Sequence, residues 1–443
     1  MAEIAPVRGI LYNPAKVDVS RVLAPPYDVI SEEDRGRLEA RDPYNCVRLI
    51  LPRGEGDAKY GAAAKILHSW LDDGVLKRDS QHAIYRYNQV FTISELGHKP
   101  VTRRGFIAAV RLHRFDEGVI MPHERTLRGP KEDRLKLMRA TRAHFSQIFG
   151  LYSDPDRETD RAFGPVENNP PDLEGTTPDG TLHQLWRVTD RVTLAKIGRV
   201  LAPLKIYIAD GHHRYETMLA LRDEFRVQAG SAVPASASTE HATMFLANMD
   251  DPGLVVLPTH RLIHGLQSFD LDSLLGQARA AFELVKIEEG ARDAAKLKAI
   301  LADKSRERPT FAAVTPGRAD AWLFSLRVEP EAAGLSGPRA LTTLDVTILH
   351  SLVLERMLGI DREAQEAQRN IVYVKDTRDA LSRIERAEAQ VGFVMHPTRV
   401  EQVRAIADCH EVMPQKSTFF YPKIASGLVV NPLDPVEILP SVL

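Results

Sequence analysis

The densest run of chemically capable side chains is Asp210-Gly211-His212-His213-Arg214, which follows the apolar stretch Ile206-Tyr207-Ile208-Ala209. Tyr215, Met218, Leu219 and Phe225 then recur at helical spacing, which predicts a strand, a tight turn and a helix from Gly211 to about Ala229. Asp210 suits the N-cap of that helix, and Gly211 lets the backbone come close to a ligand. The first amides of a helix lack intrahelical partners and sit at the positive end of its dipole, so the turn favours an anion. His212, His213 and Arg214 add donors. Asp210, Gly211, His212 and Arg214 are therefore expected to cradle a phosphate, with His213 a catalytic candidate. The plainer alternative is an Asp210 that only caps and histidines that only face solvent. Zinc is disfavoured, because adjacent histidines cannot share one helix face and no spaced third ligand lies nearby.

A second cluster is Pro122-His123-Glu124-Arg125-Thr126, followed by Arg128, Lys131, Asp133 and Arg134. A carboxylate among cations stays ionised, so Glu124 could serve as a general base, with His123 sharing its proton. Thr126 and Arg134 are candidate phosphate contacts, and Asp133 is a candidate Mg²⁺ ligand. A loop laced with surface ion pairs is the competing reading. A third candidate is the tail Gln415-Lys416-Ser417-Thr418, where Lys416 and Ser417 could contact phosphate. It lacks the spacing of a P-loop, and packing of the aromatic residues Phe419, Phe420 and Tyr421 would explain it equally well. A fourth is the turn Pro25-Pro26-Tyr27-Asp28, whose prolines fix an extended backbone. No Gly-x-Gly-x-x-Gly opens a helix after a strand, and no Gly-x-Ser-x-Gly elbow occurs.

The elements that must position these residues read as mixed α+β. Strands are expected near 82–93, 104–112, 145–152, 204–209 and 244–248. Helices are expected at 57–73, from Pro130 onward, and before Leu201. Residues 153–181, rich in Pro, Asp, Glu, Gly and Thr, read as an exposed loop. From about Ser268 the pattern suggests a second α+β unit, with a helix near Thr347 to Leu358.

The chain has 443 residues, of which 44% are hydrophobic and 27% charged, an ordinary globular composition that implies two to three domains. A net charge of −2 gives no global attraction to nucleic acid or membrane. Locally, residues 99–142 carry twelve Lys/Arg against five Asp/Glu, an excess that suits either phosphates or a solvated face. The two cysteines, Cys46 and Cys409, form no metal-spaced pair and fit a reducing cytoplasm. No signal peptide is expected at the N-terminus, and no stretch approaches the ~20 apolar residues of a membrane span.

Five segments together resemble, in order and over essentially the whole chain, a bacterial and archaeal family, the domain of unknown function numbered one thousand and fifteen. They are Ala24 to Ile30, His123 to Thr126, Ala209 to Glu216, Leu257 to Arg261 and Met413 to Lys423. The Asp210 to Arg214 run also resembles the phosphate-binding turn of the ParB/sulfiredoxin superfamily, including archaeal free serine kinases. That resemblance implies a ParB/sulfiredoxin-like catalytic domain over 1–265 and a C-terminal α+β domain over 266–443 that contributes the tail loop 413–423. Sulfiredoxin chemistry is disfavoured by His212 and His213 where that turn carries Cys. Partition-protein function is disfavoured by the lack of a clear helix-turn-helix. The surviving expectation is a kinase using ATP or ADP with Mg²⁺ on a small hydroxyl metabolite, best matched by free L-serine, with Glu124 as base. A non-catalytic nucleotide- or nucleic-acid-binding module and a nucleotide-hydrolysing switch are the alternatives.

Overall fold

The computed structural model describes residues 1–93, 99–124 and 128–443, with the side chains of 128–130 also outside the description. Thr126, a candidate phosphate contact, lies outside the described residues. The protein is mixed α+β, as its alternating patterns predict.

The chain forms two compact units. The first comprises 1–122, 126–255 and 422–443, and the second 123–125 and 256–421. This partition differs from the expected division at 265/266. The strand His260–Ile263 pairs with Ile371–Val374 and Val391–Val394, which ties it to the second unit. The final segment instead returns to the first unit, where Val430 bridges Ile10 and Asn431–Pro432 pairs with Ala143–His144.

The first unit is built on a nine-stranded sheet. Its order is Ile120–Met121, Ile206–Asp210, Ile148–Tyr152, His241–Asn248, Pro100–Arg111, Ile84–Thr92, Leu182–Val188 and Leu173–Thr176, with Ile4–Ala5 paired to Pro100–Arg111. The central strand His241–Asn248 is buried along its whole length, which explains its near-continuous apolar run. Tyr215, Met218, Leu221 and Phe225 of the helix His212–Ala229 pack into the core formed by Ile206, Ile208, Met244 and Leu246.

Residues 153–181 are not the exposed loop that their composition suggests. They hold the helix Glu158–Glu167 and the strand Leu173–Thr176. The Asp154 carboxylate accepts from the amides of Glu158 and Thr159, which starts the helix. Phe163 is fully buried, 5.3 Å from the Phe106 ring, and anchors the helix to the sheet. The helix expected to open at Pro130 begins two residues earlier and spans Arg128–Thr141.

The second unit carries a six-stranded antiparallel sheet ordered Phe282–Ile287, Ala321–Leu326, Thr310–Val314, Val391–Val394, His260–Ile263 and Ile371–Val374. A cluster of Phe282, Phe311, Phe324 and Phe393 packs on one face of it. The helix expected near 347–358 is a short α-helix, Asp345–Ile348, running into a π-helix, Leu349–Met357.

Candidate functional site

Strand Ile206–Asp210 pairs in parallel with Ile120–Met121 and antiparallel with Ile148–Tyr152. Its register with Ile148–Tyr152 slips between Ile208 and Asp210, an irregularity placed immediately before the turn. Asp210 is the last strand residue and does not cap the helix. Gly211 holds the N-cap position, at φ +89°, with no side-chain cap hydrogen bond. The expected Asp210 cap fails because its carboxylate is taken by two cations.

Those cations are Lys423, whose Nζ lies 3.3 Å from Asp210 Oδ1, and Arg214, whose Nη2 donates to Oδ2 at 3.2 Å. Burial opposes ionisation of Asp210, but Lys423, Arg214 and His212 together hold its carboxyl well below the usual range. Arg214 is buried, and its Nη1 donates to the Gln147 carbonyl. Arg214 therefore braces the turn from beneath, where the sequence suggested a phosphate donor. A Cβ on Gly211 would come within 2.9 Å of the Arg214 guanidinium, so glycine leaves room for the arginine as well as permitting the positive φ. His212 is buried and His213 half-buried at the start of the helix.

Lys423 is itself positioned by a buried polar pair. Gln89 Nε2 donates to the Lys423 carbonyl at 3.0 Å, and Arg103 donates to the Pro422 carbonyl and to Gln89 Oε1. Arg103 is wholly buried with its guanidinium 4.7 Å from the Phe149 ring centroid. Burial lowers it to about 9, with Tyr87 and Asp210 opposing, so it remains a cation at neutral pH.

The first unit brings the Pro25-Pro26-Tyr27 turn and the helix Arg128–Thr141 to the same electrostatic neighbourhood. Arg134 is buried, donates from Nη1 to the Ile50 carbonyl at 2.6 Å, and lies 4.2 Å above the Tyr27 ring. Burial raises the Tyr27 phenol, and it feels Arg214, Arg134 and Asp210 at once. Lys131 Nζ pairs with Glu216 at 2.5 Å, joining that helix to His212–Ala229. Asp133 accepts from Tyr60 at 2.7 Å, from Lys59 at 3.2 Å and from Arg134 Nε at 2.9 Å. Burial opposes its ionisation, yet these donors lower its carboxyl to about 2. Both Asp133 oxygens are thus committed to protein donors, which does not fit a metal ligand. Among the described residues no group of three His, Cys, Asp or Glu has metal-holding geometry.

The remaining candidates meet in the second unit. Met413 N donates to the His123 carbonyl at 2.8 Å, and Glu124 forms a parallel bridge with Met413. Glu124 Oε1 accepts from Lys416 N at 3.0 Å, and Arg261 Nη2 donates to the Lys416 carbonyl at 3.1 Å. Lys416 sits at φ +58°, clamped at both backbone ends while the residue itself is exposed. His123 is fully buried, with Nε2 3.1 Å from Thr418 Oγ1. Ser417 is buried and donates to the Pro414 carbonyl at 2.5 Å.

The candidate residues therefore resolve into two constellations. The first unit holds Asp210 to Arg214, Tyr27, Asp133, Arg134 and Lys423. The second holds His123, Glu124, Lys416 and Ser417. Sequence reasoning offered the turn carrying Tyr27 as a candidate but missed Arg103 and Lys423, which hold the Asp210 turn from within the same unit. The Pro-Pro-Tyr-Asp turn and the Pro422-Lys423 pair were visible as motifs, but no spacing rule connects them to residue 210.

These features define a mixed α+β protein with a cation-ringed strand–turn–helix. The chain belongs to a family of proteins of unknown function (DUF1015), whose model matches residues 4–347. No curated protein matches it. Among solved structures it is similar to a conserved hypothetical protein from Pyrococcus furiosus, at 15% identity and a TM-score of 0.33, covering 76% of this chain and 95% of that one. It is also similar to a free serine kinase variant in complex with ADP, at 13% identity and TM-score 0.34, covering 71% and 87%. A third is SbnI from Staphylococcus aureus with a C-terminal truncation, at 10% identity and TM-score 0.34, covering 74% and 87%. Among the described residues no helix is long and apolar enough to cross a membrane.

Proposed function

We propose that the protein is a nucleotide-dependent phosphotransferase acting on a small hydroxyl metabolite, with free L-serine the first acceptor to test. The observation that carries this reading is the Asp210–Gly211 turn, where a helix without a side-chain cap begins beside Lys423, Arg214 and His212. Backbone amides at a helix start, backed by cations, suit phosphoryl oxygens. Phosphoryl transfer needs positioning and charge neutralisation more than covalent chemistry by the protein. In this reading the nucleotide, ATP or ADP, places its phosphates against the amides of the turn. Lys423 neutralises charge there, Arg214 braces the turn, and His213 contacts the transferred group. The resemblance of the Asp-Gly-His-His-Arg run to that of free serine kinases supports the same assignment.

Glu124 is the proposed base that orients the acceptor hydroxyl, and Lys416 a proposed phosphate contact in the second unit. Mg²⁺ would supply positive charge at the phosphates and is commonly held with few protein ligands. Asp133 does not fit as one of them, and no step is assigned to it.

The test is to incubate purified protein with serine, Mg²⁺ and either ATP or ADP, and to follow O-phosphoserine together with nucleotide consumption. Product that depends on both acceptor and nucleotide is expected. A lack of product across a panel of hydroxyl metabolites overturns the reading. Nucleotide hydrolysis without any acceptor would instead support a nucleotide-driven switch.

A further inference from the structure

The second unit contains a cleft of about 370 Å³ that the phosphotransfer reading does not use. That volume falls in the range of small-molecule sites, roughly 300–1,000 Å³. Five guanidinium-bearing residues line it from separate stretches of chain. Arg306 and Arg308 come from the turn between the helix Ala294–Lys304 and the strand Thr310–Val314. Arg327 follows the strand Ala321–Leu326, Arg339 begins the helix Arg339–Thr342, and Arg399 precedes the helix Val400–Asp408.

Two of the five are neutralised. Arg308 pairs with Glu283 at 2.8 Å and Arg339 with Glu329 at 3.0 Å. Arg327 donates to a carbonyl, that of Arg279, at 2.6 Å. Among the described residues, Arg306, Arg327 and Arg399 have no carboxylate within ion-pair distance. Asp345 stands in the same cleft, accepts from Thr310 N at 3.2 Å, and lies in the field of Arg399. Burial raises Asp345 to about 7, so it is a weak counter-charge near neutral pH.

Glu307 and Glu329 also line the cleft, so with Asp345 it holds five guanidinium groups against three carboxyls, and the cationic excess gathered from separate elements favours an anion that offsets it. Planar guanidinium groups match phosphate oxygens two at a time, which a point charge does not. We propose that this cleft binds a small molecule carrying one or more phosphate groups. The cleft shares no residue with the Asp210 turn and does not depend on the phosphotransfer reading. Its size and concave form favour a small ligand over a nucleic-acid backbone.

The test uses the full-length protein and sodium pyrophosphate, titrated calorimetrically at constant ionic strength. Three proteins are compared: wild type, the Arg306→Gln/Arg399→Gln double variant, and Lys423→Ala, which reports on the Asp210 turn. Both arginines are exposed, so the double variant is expected to keep the wild-type melting temperature. Arg327→Gln provides a second variant should it not. Saturable binding is expected in wild type, weakened about tenfold or more in the arginine variants and retained in Lys423→Ala. Three outcomes overturn the proposal: no saturable binding in wild type, equal affinity for sulfate and pyrophosphate, or arginine variants that bind as wild type does. Binding of single-stranded DNA that pyrophosphate does not displace also overturns it, in favour of a nucleic-acid surface. Loss of binding only in Lys423→Ala refutes the cleft while leaving the Asp210 turn as a phosphate site.

Discussion

Lys423 Nζ stands 3.3 Å from Asp210 Oδ1, and its carbonyl is fixed by Gln89, which Arg103 in turn holds. A side chain near the C-terminus thus sets the charge of the strand-to-helix turn. Lys423→Met is expected to lower nucleotide affinity about tenfold, because a positive charge beside the phosphates is lost. It should also lower stability by about 1–3 kcal/mol, since the Asp210 carboxylate loses a charged donor. Calorimetric titration with ADP and a thermal melt measure the two effects separately.

Gly211 combines a φ of +89° with a Cβ position 2.9 Å from the Arg214 guanidinium. Gly211→Ala is therefore expected to cost about 1–3 kcal/mol through strain and displacement of Arg214. Denaturant unfolding checks this. A change under 0.5 kcal/mol would show that the turn relaxes freely.

Glu124 accepts a backbone hydrogen bond from Lys416, and glutamine retains an oxygen for that bond. Glu124→Gln should therefore preserve the melting temperature while cutting turnover by about a hundredfold, the scale of general-base catalysis. Nucleotide affinity should change less than about threefold, a difference below 1 kcal/mol. Equal losses in turnover and nucleotide affinity would remove Glu124 from the role of base.

Burial raises the Asp345 carboxyl to about 7, against an unfolded value near its ordinary range. Below about pH 4 folded and unfolded chains both carry it protonated. Between about pH 4 and about 7 the unfolded chain carries it ionised while the folded protein holds it protonated, so the associated stability is lost across that window and the dependence levels off above about 7. Asp345→Asn can keep the oxygen that accepts from Thr310 N and should flatten this dependence. At pH 8 the variant is expected to be more stable than wild type by about 1–3 kcal/mol. Melts of both proteins between pH 5 and pH 8 supply the comparison.

The elements themselves were largely legible. The apolar run 206–209 and the helical stripe from Tyr215 to Phe225 each report a face buried by the same core, so local pattern and tertiary environment agree. Residues 153–181 misled, because their polar composition hides one buried anchor, Phe163, and one capping carboxylate, Asp154. At the site, the Asp-Gly-His-His-Arg run was visible as a dense polar turn, but the roles of Asp210 and Arg214 were not. Whether a carboxylate caps a helix or binds a cation depends on what approaches it from elsewhere in the chain.

By itself the sequence determined the α+β class, the strand–turn–helix at 206–229 and the segments able to carry chemistry. Those follow from periodicity and backbone preference, which act over a few residues. Only the tertiary structure decided that Lys423 pairs with Asp210, that Tyr27 feels both Asp210 and Arg134, and that Glu124 and Lys416 meet in the other unit. It also gathered the arginines of the second unit around one cleft. These associations arise from sheet pairing and core burial between distant segments, and no local spacing encodes them.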